Sequence, residues 1–178
     1  MRLTENIWTV PNILTMLRVI LIGVLVWLYA AGRPMGALAV FLLAGVTDFL
    51  DGFIARRKNL ITDFGKLMDP LADKLLLIAV LFCLMSDGRV PAWIVAIILA
   101  KEAVMVAGGA VMLRRGIVVQ ARLVGKAATV VFMIAVAAAF LSDYVAPWHE
   151  ALVCLAAAMS LCALGFYVMD AVRRVKGR

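Results

Sequence analysis

The chain is 178 residues long, and 66% of them are hydrophobic, against the roughly 45–50% apolar content of a soluble domain. Apolar runs recur along its whole length, which argues against a soluble body and for one integral-membrane domain over residues 1–178. The net charge of +7 would suit nucleic acid in a soluble protein, but in a membrane chain it is distributed by topology, and no nucleic-acid partner is expected.

Residues 1–10 mix polar and apolar side chains around Trp8 and suit a short segment lying on the membrane interface. A spanning helix needs about 20 residues. Breaks at AGRPMG (31–36), RRKNLITDFG (56–65), SDGRVP (86–91), LRRGIVVQAR (113–122) and SDYVAPWHE (142–150) leave six candidates, near 11–31, 36–55, 67–85, 91–113, 122–141 and 148–172. The expected fold is therefore an all-α bundle of six transmembrane helices. No small-residue cleavage site follows the first apolar run, so a removable signal peptide is not expected.

If six helices alternate, Arg2, Arg56, Arg57, Lys58, Lys66, Arg114, Arg115, Arg122, Arg173, Arg174, Lys176 and Arg178 fall on one side. Only Arg33 and Arg89 fall on the other. Twelve against two predicts that both termini are cytoplasmic. Cys83, Cys154 and Cys162 are scattered through apolar segments without a CxxC pair, so inert core positions are expected rather than a disulfide or zinc site. The one histidine, His149, follows Pro147 in a polar turn and reads as a loop residue.

The stretch from Thr47 to Lys74 breaks the apolar pattern with five aspartates. In the second predicted helix, Asp51 lies about 6 Å and Asp48 about 10 Å from the cytoplasmic end. In the third, Asp69 lies about 3 Å and Asp73 about 9 Å from the cytoplasmic start. Pro70 is then placed in a first turn, where a missing N–H is tolerated. Asp48 and Asp51 are spaced i, i+3, and Asp69 and Asp73 i, i+4, so each pair occupies one helix face. Two antiparallel neighbours can bring the four carboxylates together at one depth. Such a nest needs counter-charge, and hard divalent cations with oxygen ligands, Mg²⁺ or Mn²⁺, supply it. Two ions about 3.5–4 Å apart would suit phosphoryl-type transfer. Gly52 and Gly65 permit close backbone approach to a ligand, and Arg56 can hold a phosphate bidentately. Solvated aspartates at helix ends are the bland alternative, with some force for Asp63 and Asp69. It is weak for Asp48 and Asp73, because carboxylates inside a membrane are costly.

The spacing Asp48-x-x-Asp51-Gly52-x-x-Ala55-Arg56, eight residues, Gly65-x-x-x-Asp69-x-x-x-Asp73 resembles the signature of the CDP-alcohol phosphatidyltransferase family at every one of its fixed positions. The resemblance extends to the six-helix plan and so covers nearly the whole chain. It implies an enzyme that displaces CMP from CDP-diacylglycerol with an alcohol, using two divalent ions held by Asp48, Asp51, Asp69 and Asp73. It also implies that Asp73 is the general base and that Gly52, Ala55, Arg56 and Gly65 lie against the cytidine diphosphate. Asn12 and Thr15 of the N-terminal motif are expected to contact the nucleotide too. Membrane lipid is then both solvent and substrate, and a cytoplasm-facing site in a bacterial plasma membrane is expected.

Within the family, PNILTMLRVILI (11–22) and TDFGKLMDPLADKLL (62–76) resemble the branch whose acceptor is glycerol 3-phosphate. Val90–Trp93, the Lys101–Glu102 pair and Gly125–Lys126 with Thr129 resemble that branch too, with a departure at Lys101, where the family usually carries Arg, while the segment AVMVAGGAVMLRRG is closer to the branch that uses phosphatidylglycerol. Either acceptor is anionic, and Arg18, Arg114, Arg115, Arg122 and Lys126 are candidates to hold its phosphate, the alternative being ordinary positive-inside charge. An i, i+1 pair on a helix does not face itself, so Lys101 and Glu102 are each expected to find a partner elsewhere. A divalent-cation transporter would also carry intramembrane carboxylates, but AVFLLAG, LLLIAVLFCL and VVFMIAVAAAFL offer it no polar path. Small-residue runs in helices four to six would allow a homodimer.

Overall fold

The computed structural model describes the backbone of residues 9–58, 63–114 and 123–176. Among these residues all regular structure is helical: α1 (Val10–Ala30), α2 (Pro34–Lys58), α3 (Asp63–Ser86), α4 (Ala92–Arg114), α5 (Leu123–Phe140), the single turn α6 (Ser142–Val145) and α7 (Trp148–Lys176). The six long helices fall where apolar length and Gly/Pro punctuation place them, with ends displaced by at most a turn or so. The interfacial segment expected before Trp8 lies outside the described residues.

The helix boundaries have local causes. Thr9 is extended and precedes α1, whose first turn contains Pro11, a position where the missing N–H costs nothing. Both α1 and α3 end in the same way. Gly32 and Gly88 adopt φ values of 69° and 72°. Their amides bond back to Tyr29 and Met85, while the amides of Arg33 and Arg89 bond to Leu28 and Leu84. That paired pattern closes the orphan carbonyls of a helix end and needs a left-handed residue. A Cβ at Gly88 would meet no atom within 4 Å, so Gly88→Ala carries only the backbone term, about 1–2 kcal/mol. Gly88→Asn should cost less, and thermal unfolding of both variants in detergent would check the order.

Three, not six, of the described helices are long and apolar enough by composition to cross a membrane: Asn12–Ala30, Ala92–Met112 and Trp148–Arg173. Two further described stretches, Pro34–Asp48 of α2 and Ala127–Phe140 of α5, are apolar but shorter. The chain is nonetheless an integral membrane protein. Ile20, Trp27, Val46, Trp93, Val106 and Trp148 are all more than half exposed, and apolar surface on that scale needs lipid rather than water.

The chain divides into two compact units, one up to Cys83 and one from Leu84. In the first, α1 packs along α2 through Leu25 and Tyr29 against Ala37, Phe41 and Ala44, all buried. Their i, i+4 and i, i+3 spacing makes one stripe on each helix. In the second, α7 packs against both α4 and α5, with Ala135, Val136 and Ala139 of α5 and Val153, Ala156 and Ala157 of α7 buried. Small side chains let helix backbones approach where no hydrophobic force drives them together in lipid. Arg89 ties the α3–α4 turn to the end of α5, donating to the Phe140 carbonyl at 3.0 Å, the Ser142 hydroxyl at 2.6 Å and Asp143 at 2.8 Å.

Several sequence expectations are corrected here. Pro70 lies inside α3 rather than in its first turn, because α3 begins at Asp63. The backbone bond to residue 66 is therefore absent there. His149 is a buried residue in the first turn of α7 rather than in a loop. Pro147, with its preset φ, stands directly before that helix. Of the cysteines only Cys83 is buried, while Cys154 and Cys162 lie exposed on α7.

Candidate active site

The polar residues of the first unit gather along one side of α1. Asn12, Thr15 and Arg18 are spaced three apart in an otherwise apolar helix, and they are 1%, 1% and 0% exposed. A buried polar stripe must be matched by partners, and α2 and α3 provide them. The Arg18 guanidinium meets Asp48 of α2 through Nη2 at 2.9 Å and Asp73 of α3 through Nη1 at 3.0 Å. The Thr15 hydroxyl donates to Asp69 Oδ1 at 2.6 Å. Next to Asp48, the Thr47 hydroxyl donates to the Ala44 carbonyl at 2.8 Å, closing onto its own helix.

Asp48 and Asp73 stand equally far from the facing helix ends, but farther than the expected distance of about 9–10 Å, because α2 runs on to Lys58 and α3 starts at Asp63. Asp48 lies ten residues before the end of α2, and Asp73 lies ten residues after the start of α3. Each is therefore about 15 Å along its helix. Asp51 and Asp69 stand seven and six residues from the same ends. α1 thus faces two carboxylate-bearing helices whose acids sit at equal distances from their facing termini.

Chemically, Asp48, Asp69 and Asp73 present hard, anionic oxygens, and the side chains of Asp48 and Asp73 are half exposed, at 49% and 51%. That donor set fits Mg²⁺ or Mn²⁺. Among the described residues no group of three or more His, Cys, Asp or Glu is arranged to hold an ion. The side chain of Asp51, the fourth expected ligand, lies outside them, as do those of Arg56, Arg114, Arg115, Arg122 and Lys126 and the surroundings of Gly52, Ala55 and Gly65. Arg18, a candidate for the acceptor phosphate, is enclosed between two carboxylates. Thr15, expected to face the nucleotide, is engaged by Asp69.

The Thr15–Asp69 and Arg18–carboxylate contacts were not anticipated. Their signal was the i, i+3, i+6 recurrence of polar residues in an apolar helix, which marks a buried polar face. In the second unit, Lys101 meets both Glu102 and, at 3.0 Å, the Ser160 hydroxyl on α7. Lys101 thus finds the expected partner elsewhere, in Ser160, but also meets Glu102, which the spacing argued against. A lysine stem is long enough to fold back over its neighbour.

The CDP-alcohol phosphatidyltransferase family model matches residues 8–168. The chain belongs to that family. It is accordingly a membrane-bound phosphatidyltransferase of phospholipid biosynthesis. Among curated CDP-alcohol phosphatidyltransferases, the chain is 36% identical over 151 residues to the CDP-diacylglycerol–glycerol-3-phosphate 3-phosphatidyltransferase of Bacillus subtilis, covering 76% of this chain and 78% of that protein. It is 37% identical over 147 residues to the CMP-forming cardiolipin synthase of Streptomyces coelicolor, covering 79% of this chain and 68% of that protein. A third relative, the CDP-diacylglycerol–glycerol-3-phosphate 3-phosphatidyltransferase of Rickettsia prowazekii, is 43% identical over 106 residues, 57% of this chain and 56% of that protein.

Proposed function

We propose that the protein transfers the phosphatidyl group of CDP-diacylglycerol to the hydroxyl of sn-glycerol 3-phosphate, releasing CMP and forming phosphatidylglycerophosphate. The observation that carries this reading is the convergence of Asp48, Asp69 and Asp73 on the buried polar stripe of α1. These three residues belong to the motif that marks the family. Two of the relatives described above carry the name of this reaction. The family match runs through both compact units, which supports reading the chain as one catalytic domain.

Asp48, Asp51, Asp69 and Asp73 would hold two divalent ions, Mg²⁺ or Mn²⁺. When bound, these supply positive charge against the pyrophosphate and the departing CMP. Asp73 accepts the proton of the acceptor hydroxyl as that oxygen bonds to the phosphatidyl phosphorus. The phosphorus–oxygen bond to CMP breaks with the electron pair leaving on CMP. Gly52, Ala55 and Gly65 give the nucleotide close backbone approach, and Arg56 offers a bidentate donor to phosphate. An anionic acceptor calls for cations, and Arg114, Arg115, Arg122 and Lys126 are the ones the sequence supplies. The basic residues concentrate on one side of the predicted topology, which supports a site facing the cytoplasm. The diacylglycerol chains are anchored in the leaflet there, so the reacting phosphorus lies near the headgroup plane.

A second reading, cardiolipin synthesis with phosphatidylglycerol as acceptor, is favoured by the Streptomyces relative, whose identity and coverage of this chain slightly exceed those of the Bacillus one. The test is CMP release by the purified protein with CDP-diacylglycerol and Mg²⁺ or Mn²⁺, each acceptor offered alone. Release only with glycerol 3-phosphate is the expected result. Release only with phosphatidylglycerol moves the enzyme to the second reading, and no release from folded, metal-supplied protein with any alcohol overturns both.

A further inference from the structure

We infer that Thr15 and Arg18 are positioning residues, which set the separation and orientation of Asp48, Asp69 and Asp73 for a divalent cation. They are not the groups that touch nucleotide or acceptor. The inference rests on the phosphatidyltransferase reading of the aspartates and adds a role for α1.

Four observations carry it. Arg18 is 0% exposed, so its guanidinium is out of reach of a ligand arriving from outside. Its two terminal nitrogens engage carboxylates on two different helices, at 2.9 and 3.0 Å. The planar fork therefore fixes how far Asp48 stands from Asp73, which a point-charge ammonium cannot do. In all three contacts the carboxylate contributes Oδ1. A carboxylate has two oxygens and about four lone-pair sites, so a bond at Oδ1 orients the group without exhausting its capacity as a ligand. Finally, Asp48 and Asp73 remain about half exposed while Arg18 is enclosed, so the cation lies behind the acids and the acids face outward.

The electrostatics point the same way. Two neighbouring carboxylates repel before an ion arrives, and Arg18 compensates that repulsion in the metal-free protein. Arg18 thereby keeps Asp48 and Asp73 beside one another before an ion binds. Partners that hold metal ligands typically control affinity by about 10–100-fold.

Mn²⁺ affinity of the purified full chain, read from the electron paramagnetic resonance of free Mn²⁺ without substrate, tests the inference directly. Arg18→Gln and Thr15→Val are expected to weaken Mn²⁺ binding about 10–100-fold, whereas Thr15→Ser, which keeps the hydroxyl, stays near wild type. Arg18→Lys is expected to restore little, because one ammonium cannot bridge both acids. In the presence of EDTA the thermal midpoint of Arg18→Gln should fall below that of wild type. Unchanged or tighter Mn²⁺ binding in Arg18→Gln, or an unchanged affinity with a raised KM for the acceptor, overturns the inference. If Arg18→Gln does not fold, the Thr15→Val and Thr15→Ser pair decides alone, since valine matches threonine in shape. Wild-type protein that binds Mn²⁺ yet releases no CMP would sink the functional reading and leave the positioning role standing. Wild-type protein that binds no Mn²⁺ would sink both.

Discussion

Asp73→Asn is expected to reduce CMP release by at least about 1000-fold while leaving the protein folded, since a well-placed general base alone contributes about 10²–10⁴-fold. The substitution keeps the shape of the side chain and a carbonyl oxygen that can still accept from Arg18. Arg18 also retains Asp48, at 2.9 Å. What disappears is the proton acceptor and one negative charge toward the ions. Asp48→Asn should be comparably damaging, for a separable reason. If Asp48 is only a ligand, raising Mn²⁺ recovers part of its lost rate. No concentration of ion restores the proton acceptor missing in Asp73→Asn. The measurements are CMP release across a Mn²⁺ series, helix content and thermal midpoint. An Asp73→Asn protein of wild-type stability that keeps a tenth of the activity would remove Asp73 from the role of base.

Lys101→Met should be the most destabilising single change outside the aspartate site. Lys101 and Glu102 are 12% and 14% exposed and paired with each other, and Lys101 also meets Ser160. Removing one partner of a buried ion pair leaves the other charge in a low dielectric, a loss of about 3–5 kcal/mol. Replacing both members by apolar groups of similar size is often neutral or stabilising. Lys101→Met with Glu102→Leu should therefore recover most of the stability that Lys101→Met loses. Ser160→Ala should cost less, about 1 kcal/mol, in line with hydrogen bonds between membrane helices. Denaturant unfolding in mixed micelles measures all three. A Lys101→Met protein as stable as wild type would show that the pair contributes no net stability.

Asp73 stands out in the sequence because a carboxylate within an apolar run is costly and because its spacing to Asp48, Asp51 and Asp69 completes a motif. Ser160 carries no such mark. A serine in an apolar helix satisfies its own hydroxyl as readily as a distant lysine, and nothing local tells which. The Lys101–Glu102 contact is hidden from the sequence for a related reason. Helical spacing describes where Cβ atoms point, not how far a flexible stem can bend back. The charged residues ahead of Pro70 look like loop, whereas α3 continues through them from Asp63.

Where the long helices lie, where they stop and to which family the chain belongs can be read from the sequence alone. Those properties are local: apolar length, the conformational permission of Gly32 and Gly88, and the spacing of aspartates within one turn. Which cation meets which acid depends on how the helices pack. Thr15 and Asp69 are 54 residues apart and Arg18 and Asp73 are 55 apart, and no periodicity within a helix carries information across that distance. The sequence offers Arg18 as one basic residue among many. Burial against α2 and α3 removes it from solvent, and the cost of leaving a guanidinium uncompensated there binds it to the carboxylates.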